Sequence, residues 1–260
     1  MLTVPLGGLV LTAGVDVQDN RLAVVIRAWG RGEESWLVYW GEIYGDPGRQ
    51  EVWVELDGLL NRGFPHVSGQ ELHIISAAID TGGHHAQDVY AFARRKTPRV
   101  IAIKGASTPG RPVIGTPSSV DVTWQGQKIP NGVQLWPVGT DIAKGILYSR
   151  LKIIERGPGC YHWPIGASDE YFIQLTAEKL TTHYVKGFPR QEWVKTGPHN
   201  EALDCEVYAY AAALRAGLVH INFDAIEASL AGIPPAAAAP FSPTGEPPRR
   251  RIINSSVPRW

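Results

Sequence analysis

The stretch GLVLTAGVDVQDNRLAVVIRAWG, Gly8 to Gly30, decides the fold. Its first part, Gly8 to Val17, is apolar nearly throughout, the pattern of a strand buried on both faces. Gln18, Asp19 and Asn20 turn the chain, and Arg21 to Gly30 returns as a β-branched, apolar run. Gly30-Arg31-Gly32 punctuates it before ESWLVYWGEIY, Glu34 to Tyr44. Three runs joined so briefly predict an antiparallel meander. One charge, Asp16, stands inside the first run, where burial costs several kcal/mol unless the group is paired or binds a metal.

Working outward, Asp46-Pro47-Gly48 opens a helix with Val52, Trp53, Leu56, Leu59 and Leu60 at helical spacing, ended by Asn61-Arg62-Gly63. LHIISAAID, Leu72 to Asp80, is a further apolar strand broken by Thr81-Gly82-Gly83. A helix with Val89, Tyr90, Phe92 and Ala93 inward ends on Arg94, Arg95 and Lys96, and RVIAIKG, Arg99 to Gly105, is the next strand. The order β-β-β-α-β-α-β predicts an α/β fold whose mixed sheet joins an antiparallel meander to parallel strands and is flanked by helices. Residues 106–136 read as loops and short hairpins. A helix from Thr140 or Asp141 is expected to bury Ile142, Ile146, Leu147 and Leu151. Short elements fill 161–194, and a last helix from about Asn200 to Gly217 buries Leu203, Val207, Tyr210, Ala211 and Leu214. The domain is expected to span 1–221. The Pro/Ala-rich remainder, 222–260, is too poor in apolar residues to fold alone and is expected to be a flexible tail.

Composition narrows the function. The 260 residues are 44% hydrophobic and 19% charged, which suits a globular chain and not a disordered one. Lys+Arg and Asp+Glu both number 25, so the net charge is zero and a freestanding, strongly basic DNA binder is excluded. Nucleic acid would have to meet a local patch or another subunit. Two cysteines, Cys160 and Cys205, make no disulfide framework and point to a reducing compartment; Cys205 reads as a core packer. No apolar run reaches the ~20 residues that span a bilayer. The N-terminus does not read as a signal peptide, and no G-x-x-x-x-G-K-[ST] phosphate loop occurs.

Three acids carry the chemistry. Asp16 lies in the first strand, Asp80 ends the fourth before a Gly-Gly turn, and Asp204 sits in the first turns of the last helix. Each alone is open to a structural reading, a capped turn or a buried ion pair, and for Asp80 alone, standing before the glycines, the turn is favoured. Together they fit one place: the fourth strand lying parallel beside the first sets Asp16 next to Asp80 at one sheet edge, and a helix crossing that edge delivers Asp204. Three carboxylates without matching cations repel, and a divalent ion relieves that repulsion. All-oxygen ligands favour Mg²⁺ or Mn²⁺ over zinc. Such a site suits phosphodiester hydrolysis, with one ion activating water and a second stabilising the leaving oxygen.

The segments GVDVQDNRL (14–22), AIDTGGHHAQDVY (78–90), IKGAS (103–107), VGTDIAKGILYSRL (138–151), YFIQLTAEKL (171–180) and HNEALDCEVYAYAA (199–212) resemble the C-terminal nuclease domain of the large terminase subunit of lambda-type tailed phages, the GpA family. The resemblance spans about Gly8 to Leu218. It implies an RNase H-like fold and a metal-dependent endonuclease that cuts concatemeric double-stranded viral DNA during packaging in the host cytoplasm, using two Mg²⁺ or Mn²⁺ ions held by Asp16, Asp80 and Asp204. It also implies partners: a terminase small subunit, an ATPase domain, the portal protein, and a second nuclease copy during cutting. Translocation by this chain alone is not expected, nor any membrane association.

Neighbouring residues keep two readings each. Glu201, one helical turn before Asp204, is either a fourth metal ligand or an acid favoured by the helix dipole. Glu206 points away and is solvated or structural. His84 and His85 either contact phosphate or a metal-bound water, or simply start a helix. Asp141 caps a helix; Lys144 is a surface lysine or reaches the scissile phosphate. Lys104 is a phosphate ligand or a snorkelling strand-end lysine. Arg94 and Arg95, with Lys96 and Arg99, track a DNA backbone or form a solvated helix end. Trp124 and Trp136, in the loop-rich middle, are candidates for DNA contact. Two rival functions remain at this stage: a resolvase- or transposase-like RNase H enzyme, and a non-catalytic docking module for portal or capsid.

Overall fold

A computed structural model describes residues 3–124 and 126–232. Its strands are β1 (Val10–Val17), β2 (Arg21–Trp29), β3 (Ser35–Tyr44), β4 (Phe64–Pro65), β5 (Glu71–Leu72), β6 (Ile74–Asp80), β7 (Val100–Gly105), β8 (Ser118–Trp124), β9 (Gln127–Val138), β10 (Tyr161–His162), β11 (Glu178–Val185) and β12 (Phe188–Lys195). Its α-helices are α1 (Gln50–Asn61), α2 (Ala86–Lys96), α3 (Thr140–Arg150), α4 (Asp169–Leu175), α5 (Glu201–Arg215) and α6 (Phe223–Leu230). Eight strands form one sheet in the order β10-β3-β2-β1-β6-β7-β9-β8. The meander β1-β2-β3 is antiparallel, and β1, β6, β7 and β9 run parallel. The expected α/β class with a mixed sheet is what the chain adopts, consistent with an RNase H-like fold.

Period-two alternation sorts the central strands between two cores. Leu11, Ala13, Val15 and Val17 of β1 pack with Val52, Trp53, Leu56 and Leu60 of α1 and Val89, Phe92 and Ala93 of α2. The opposite face carries α5, with α3 and α4 packed beside it. That two-sided cover explains why β1 reads as continuously apolar.

Four expectations change. The middle is more ordered than loops and short hairpins: β9 is a 12-residue strand whose end pairs with β7 over Leu135–Val138, while Pro130, Gly132 and Pro137 disguise it in the sequence. On α3 the buried residues are Ala143, Lys144 and Leu147, and Ile142 is exposed. Asp141 does not cap α3, since the N-cap is Gly139; its Oδ2 accepts the Gly110 N–H at 2.7 Å. Helical structure continues past 221: α6 has Asn222 as its N-cap and is tied back by Arg31, which pairs with Asp224 and with Glu227. The rest of the expected tail, 233–260, lies outside the described residues. Among those described, no helix is long and apolar enough to cross a membrane.

Candidate active site

The site is built where α5 crosses β1. Thr12, Gly14 and Asp16 alternate onto the α5 face, and Thr12 Oγ1 donates to the Ala209 carbonyl at 2.8 Å. Gly14 is required there: a Cβ would lie 1.9 Å from the Cys205 carbonyl oxygen and 2.5 Å from the Ala209 nitrogen. This contact brings the first turns of α5 down onto the end of β1. Cys205 is buried and donates to the Ala23 carbonyl at 3.2 Å, the packing role its sequence context suggested. On the other side, β6 pairs with β1 in parallel register, Val15 opposite Ile79, so Asp16 and Asp80 are abreast and on one face.

The three aspartates therefore act on one another. Burial, then the charges of Asp204 and Asp80, push the Asp16 carboxyl up to about 8. Asp80 is raised by burial first and also by Asp204, against hydrogen bonds from the Gly82 and Thr81 amides. Asp204 is raised by burial, against the opposing pull of Lys144. A carboxyl held near neutrality is one whose negative charge lacks compensation.

One cation does enter the cluster, contrary to the expectation of carboxylates without one. Lys144 Nζ, 11% exposed, lies 2.8 Å from Glu178 Oε1 and 3.0 Å from Asp204 Oδ1. Burial works against its charge, yet these two acids hold its pKa above the ordinary lysine value. Asn200 donates to Glu178 Oε1 at 2.7 Å and to Asp204 Oδ2 at 2.8 Å. Gln18 donates to Asp16 Oδ2 at 2.6 Å. Glu201 accepts Arg21 at 2.8 Å through Oε1, while its buried Oε2 has no hydrogen-bond partner.

Glu178, Asn200, Gln18 and Arg21 were not singled out from the sequence. Asn200 carried a signal, an amide directly before an acidic helix start; Glu178 carried only its charge at the edge of an apolar run. Glu206 is not solvated: it is fully buried, its oxygens 2.6 and 2.8 Å from Arg27.

The remaining candidates scatter. Lys104, exposed, follows the residue paired with Asp80 and pulls the Asp80 pKa down. His85 is the N-cap of α2 and faces Asp88 at 3.4 Å, and His84 is exposed and faces Asp19 at 3.2 Å. Arg94 and Arg95 are exposed in the last turn of α2, at the end of the helix away from Asp80. Trp136 is half-buried beneath the Arg215 guanidinium at 5.5 Å; nothing is described of the Trp124 side chain.

The cluster fits a hard divalent cation in donor chemistry, being all oxygen, and in its uncompensated charge and the unpartnered Glu201 oxygen. It does not fit in preformed geometry: among the described residues no three His, Cys, Asp or Glu side chains stand gathered around a point that could hold an ion.

Comparison with known proteins gives one consistent result. A family model described as the terminase large subunit gpA, endonuclease domain, matches residues 1–223. The chain is 36% identical over 225 residues to the terminase large subunit of Enterobacteria phage P21, covering 80% of this chain and 33% of that protein. It is 36% identical over 211 residues to the terminase large subunit of Escherichia phage lambda, covering 78% and 32%. The chain thus spans about a third of the length of these curated relatives. No solved structure matches it significantly.

Proposed function

This chain belongs to the family of terminase large subunit gpA endonuclease domains, and on that footing we propose that it is a divalent-metal-dependent endonuclease that hydrolyses phosphodiester bonds of double-stranded DNA for genome packaging. The observation that carries the reading is the convergence of Asp16, Asp80 and Asp204, drawn from β1, β6 and α5, into one electrostatically coupled cluster.

Asp16, Asp80 and Asp204 would hold the metal, with Glu201 as a fourth carboxylate. Mg²⁺ or Mn²⁺, as two ions, would supply a Lewis acid for phosphate oxygens and a water acidic enough to attack. The chain's own residues do the positioning. Gln18 orients the Asp16 carboxylate, and the Gly82 amide, donating at 3.0 Å, fixes Asp80. Asn200 and Lys144 hold opposite oxygens of Asp204 and tie both to Glu178. Lys104 stands beside Asp80 as a cation for the phosphate. Buried acids around the cluster exclude bulk solvent from one side, which strengthens every charge interaction within it. A small subunit, an ATPase domain, the portal and a second nuclease copy would provide sequence choice, motion and the cut on the opposite strand.

A plasmid-nicking assay with Mn²⁺ tests this. Wild type is expected to nick, and Asp16→Asn and Asp80→Asn to lose at least ~10³-fold in rate, as removal of an essential charge group does. Equal nicking by all three proteins would defeat the site assignment. A wild type that cannot nick at high concentration would defeat the enzyme assignment.

A further inference from the structure

We propose that the cleft between the 106–117 loop and β9 is a binding subsite for the sugar-phosphate backbone of the DNA strand leading into the acidic cluster, with Arg111 as its principal phosphate ligand. The inference rests on the nuclease reading above and extends it to a surface outside the carboxylates.

The cleft has a volume of about 980 Å³ and runs from Lys104 at the end of β7 past Ser107, Thr108 and Arg111 to Trp136. That is the upper end of the range for small-molecule sites, roughly 300–1,000 Å³, and this cleft is open along one side. Its walls are held by backbone. Ala106 N–H donates to the Val138 carbonyl at 2.8 Å, Gly115 N–H to Pro137 at 2.9 Å, and Gly139 N–H to Pro112 at 3.0 Å. Gly139 has no room for a side chain, since a Cβ would lie 2.0 Å from the Arg111 carbonyl oxygen. The loop is therefore pinned to the sheet, and its shape exists before any ligand arrives.

The charge of the cleft points to the ligand. The chain is neutral overall, yet no aspartate or glutamate lines this surface. Asp141 reaches the loop, but its Oδ2 accepts the Gly110 N–H. Arg21, Arg27, Lys96, Lys144 and Arg150 each pair with a carboxylate. Among the described residues Lys104 and Arg111 form no salt bridge and are exposed, as are surface cations such as Arg62 and Lys152; what sets them apart is that they line one acid-free cleft. Two free cations with hydroxyls between them match phosphodiester oxygens spaced along a strand. Lys104 links the cleft to the cluster, because its charge already acts on Asp80. A strand lying on Arg111 and Lys104 would run directly to the carboxylates. The cations of α2 offer no such path, since Arg94 is at the far end of that helix.

The test uses the 260-residue chain, a short fluorescent duplex, and Ca²⁺ in place of Mn²⁺ for binding. Arg111→Glu is expected to weaken binding about tenfold and to lower the salt dependence by about one released counterion between about 50 and 200 mM salt. Arg62→Glu, the same charge change at the end of α1, should move affinity less than about twofold. In Mn²⁺, Arg111→Glu should raise KM for DNA and leave kcat near wild type, which a misfolded site would not do. Wild type that binds and cuts, with Arg111→Glu matching it, overturns the cleft assignment alone. Loss with Arg94→Glu but not Arg111→Glu also overturns it and moves the DNA to α2. Arg111-dependent binding of a deoxynucleoside monophosphate with unchanged DNA affinity overturns it in favour of a free-nucleotide site. A wild type that neither binds nor cuts overturns the parent reading together with this one.

Discussion

Two acids on α5, two residues apart, meet opposite fates. Glu206 is fully buried, and its two oxygens meet Arg27 at 2.6 and 2.8 Å while Tyr171 donates a further hydrogen bond at 2.6 Å. Arg27 is also fully buried, donates to Ser35 at 3.1 Å and lies 4.2 Å over the Tyr161 ring. Every charge there is answered inside the chain. Asp204 is answered only in part: Lys144 neutralises one carboxylate of a group that also holds Asp16, Asp80 and Glu178. The contrast separates a buried acid that is compensated from buried acids that are not. A buried acid with a complete partner set holds elements together, whereas a buried cluster with surplus negative charge is costly to the fold and poised for an outside cation.

The sharpest way to break this comparison is to remove charge from each side. Glu206→Gln strands the Arg27 guanidinium in a dry site and is expected to destabilise the chain by about 3–5 kcal/mol. Urea unfolding would show it as a lower midpoint at constant slope. The double change Arg27→Met with Glu206→Leu should recover most of that loss, because an apolar pair of similar volume needs no desolvated charges. If Glu206→Gln alone were harmless, the pair would not be the structural tie described, and the distinction between the two acids would fall. A smaller effect is expected where the helix meets the strand. Gly14→Ala would drive a methyl against the Cys205 carbonyl, costing about 1–3 kcal/mol of stability. It should also lower nicking, since the same contact seats Asp204 beside Asp16. An alanine variant with wild-type nicking and stability would show that α5 has slack over β1.

How much of this could be read from the sequence follows from the range of each signal. Asp16 stands out because it is a charge inside a run apolar on both faces, and Asp80 because it ends such a run, although each alone also fits a capped turn or a buried ion pair. Asp204 and Glu206 could not be told apart locally. Glu206 finds its partner 179 residues away, and nothing near it in sequence announces Arg27. Lys144 was misplaced for a similar reason: periodicity counts apolar residues as inward, so it chose Ile142 for the interior, while the helix turns Lys144 inward to meet Glu178 and Asp204. The α6 helix escapes a local reading because none of its residues is fully buried: Phe223 and Ile226 only lean on the core, and Arg31, distant in sequence, pairs with Glu227. The α/β class, the meander and the order of the main strands through β7 rested on continuous apolar runs and the turns between them and were readable; the two-residue strands β4 and β5 were not. The convergence of Asp16, Asp80 and Asp204 was readable with them, and the polar residues that surround them were not.

The last prediction concerns the sign of the Asp16 contribution. The folded-state pKa is about 8 and the ordinary carboxyl value is 3.8. Between these values the native chain keeps a proton on Asp16 that the unfolded chain has released. Stability must then fall as pH rises through that window, the reverse of the usual salt-bridged aspartate. Asp16→Asn removes the group that is costly to ionise. Near neutral pH, without metal, it is expected to raise the thermal midpoint by roughly 3–8 °C while abolishing nicking. Its stability should decline less steeply with pH, though not become level, because Asp80 and Asp204 are raised as well. Mn²⁺ should stabilise wild type and have little effect on the variant. Thermal melts from pH 4 to 8, with and without Mn²⁺, read all three differences. An Asp16→Asn protein less stable than wild type at neutral pH would mean that the Asp16 charge is already compensated within the chain. In that case Asp16 would resemble Glu206, and surplus charge would no longer distinguish the two clusters.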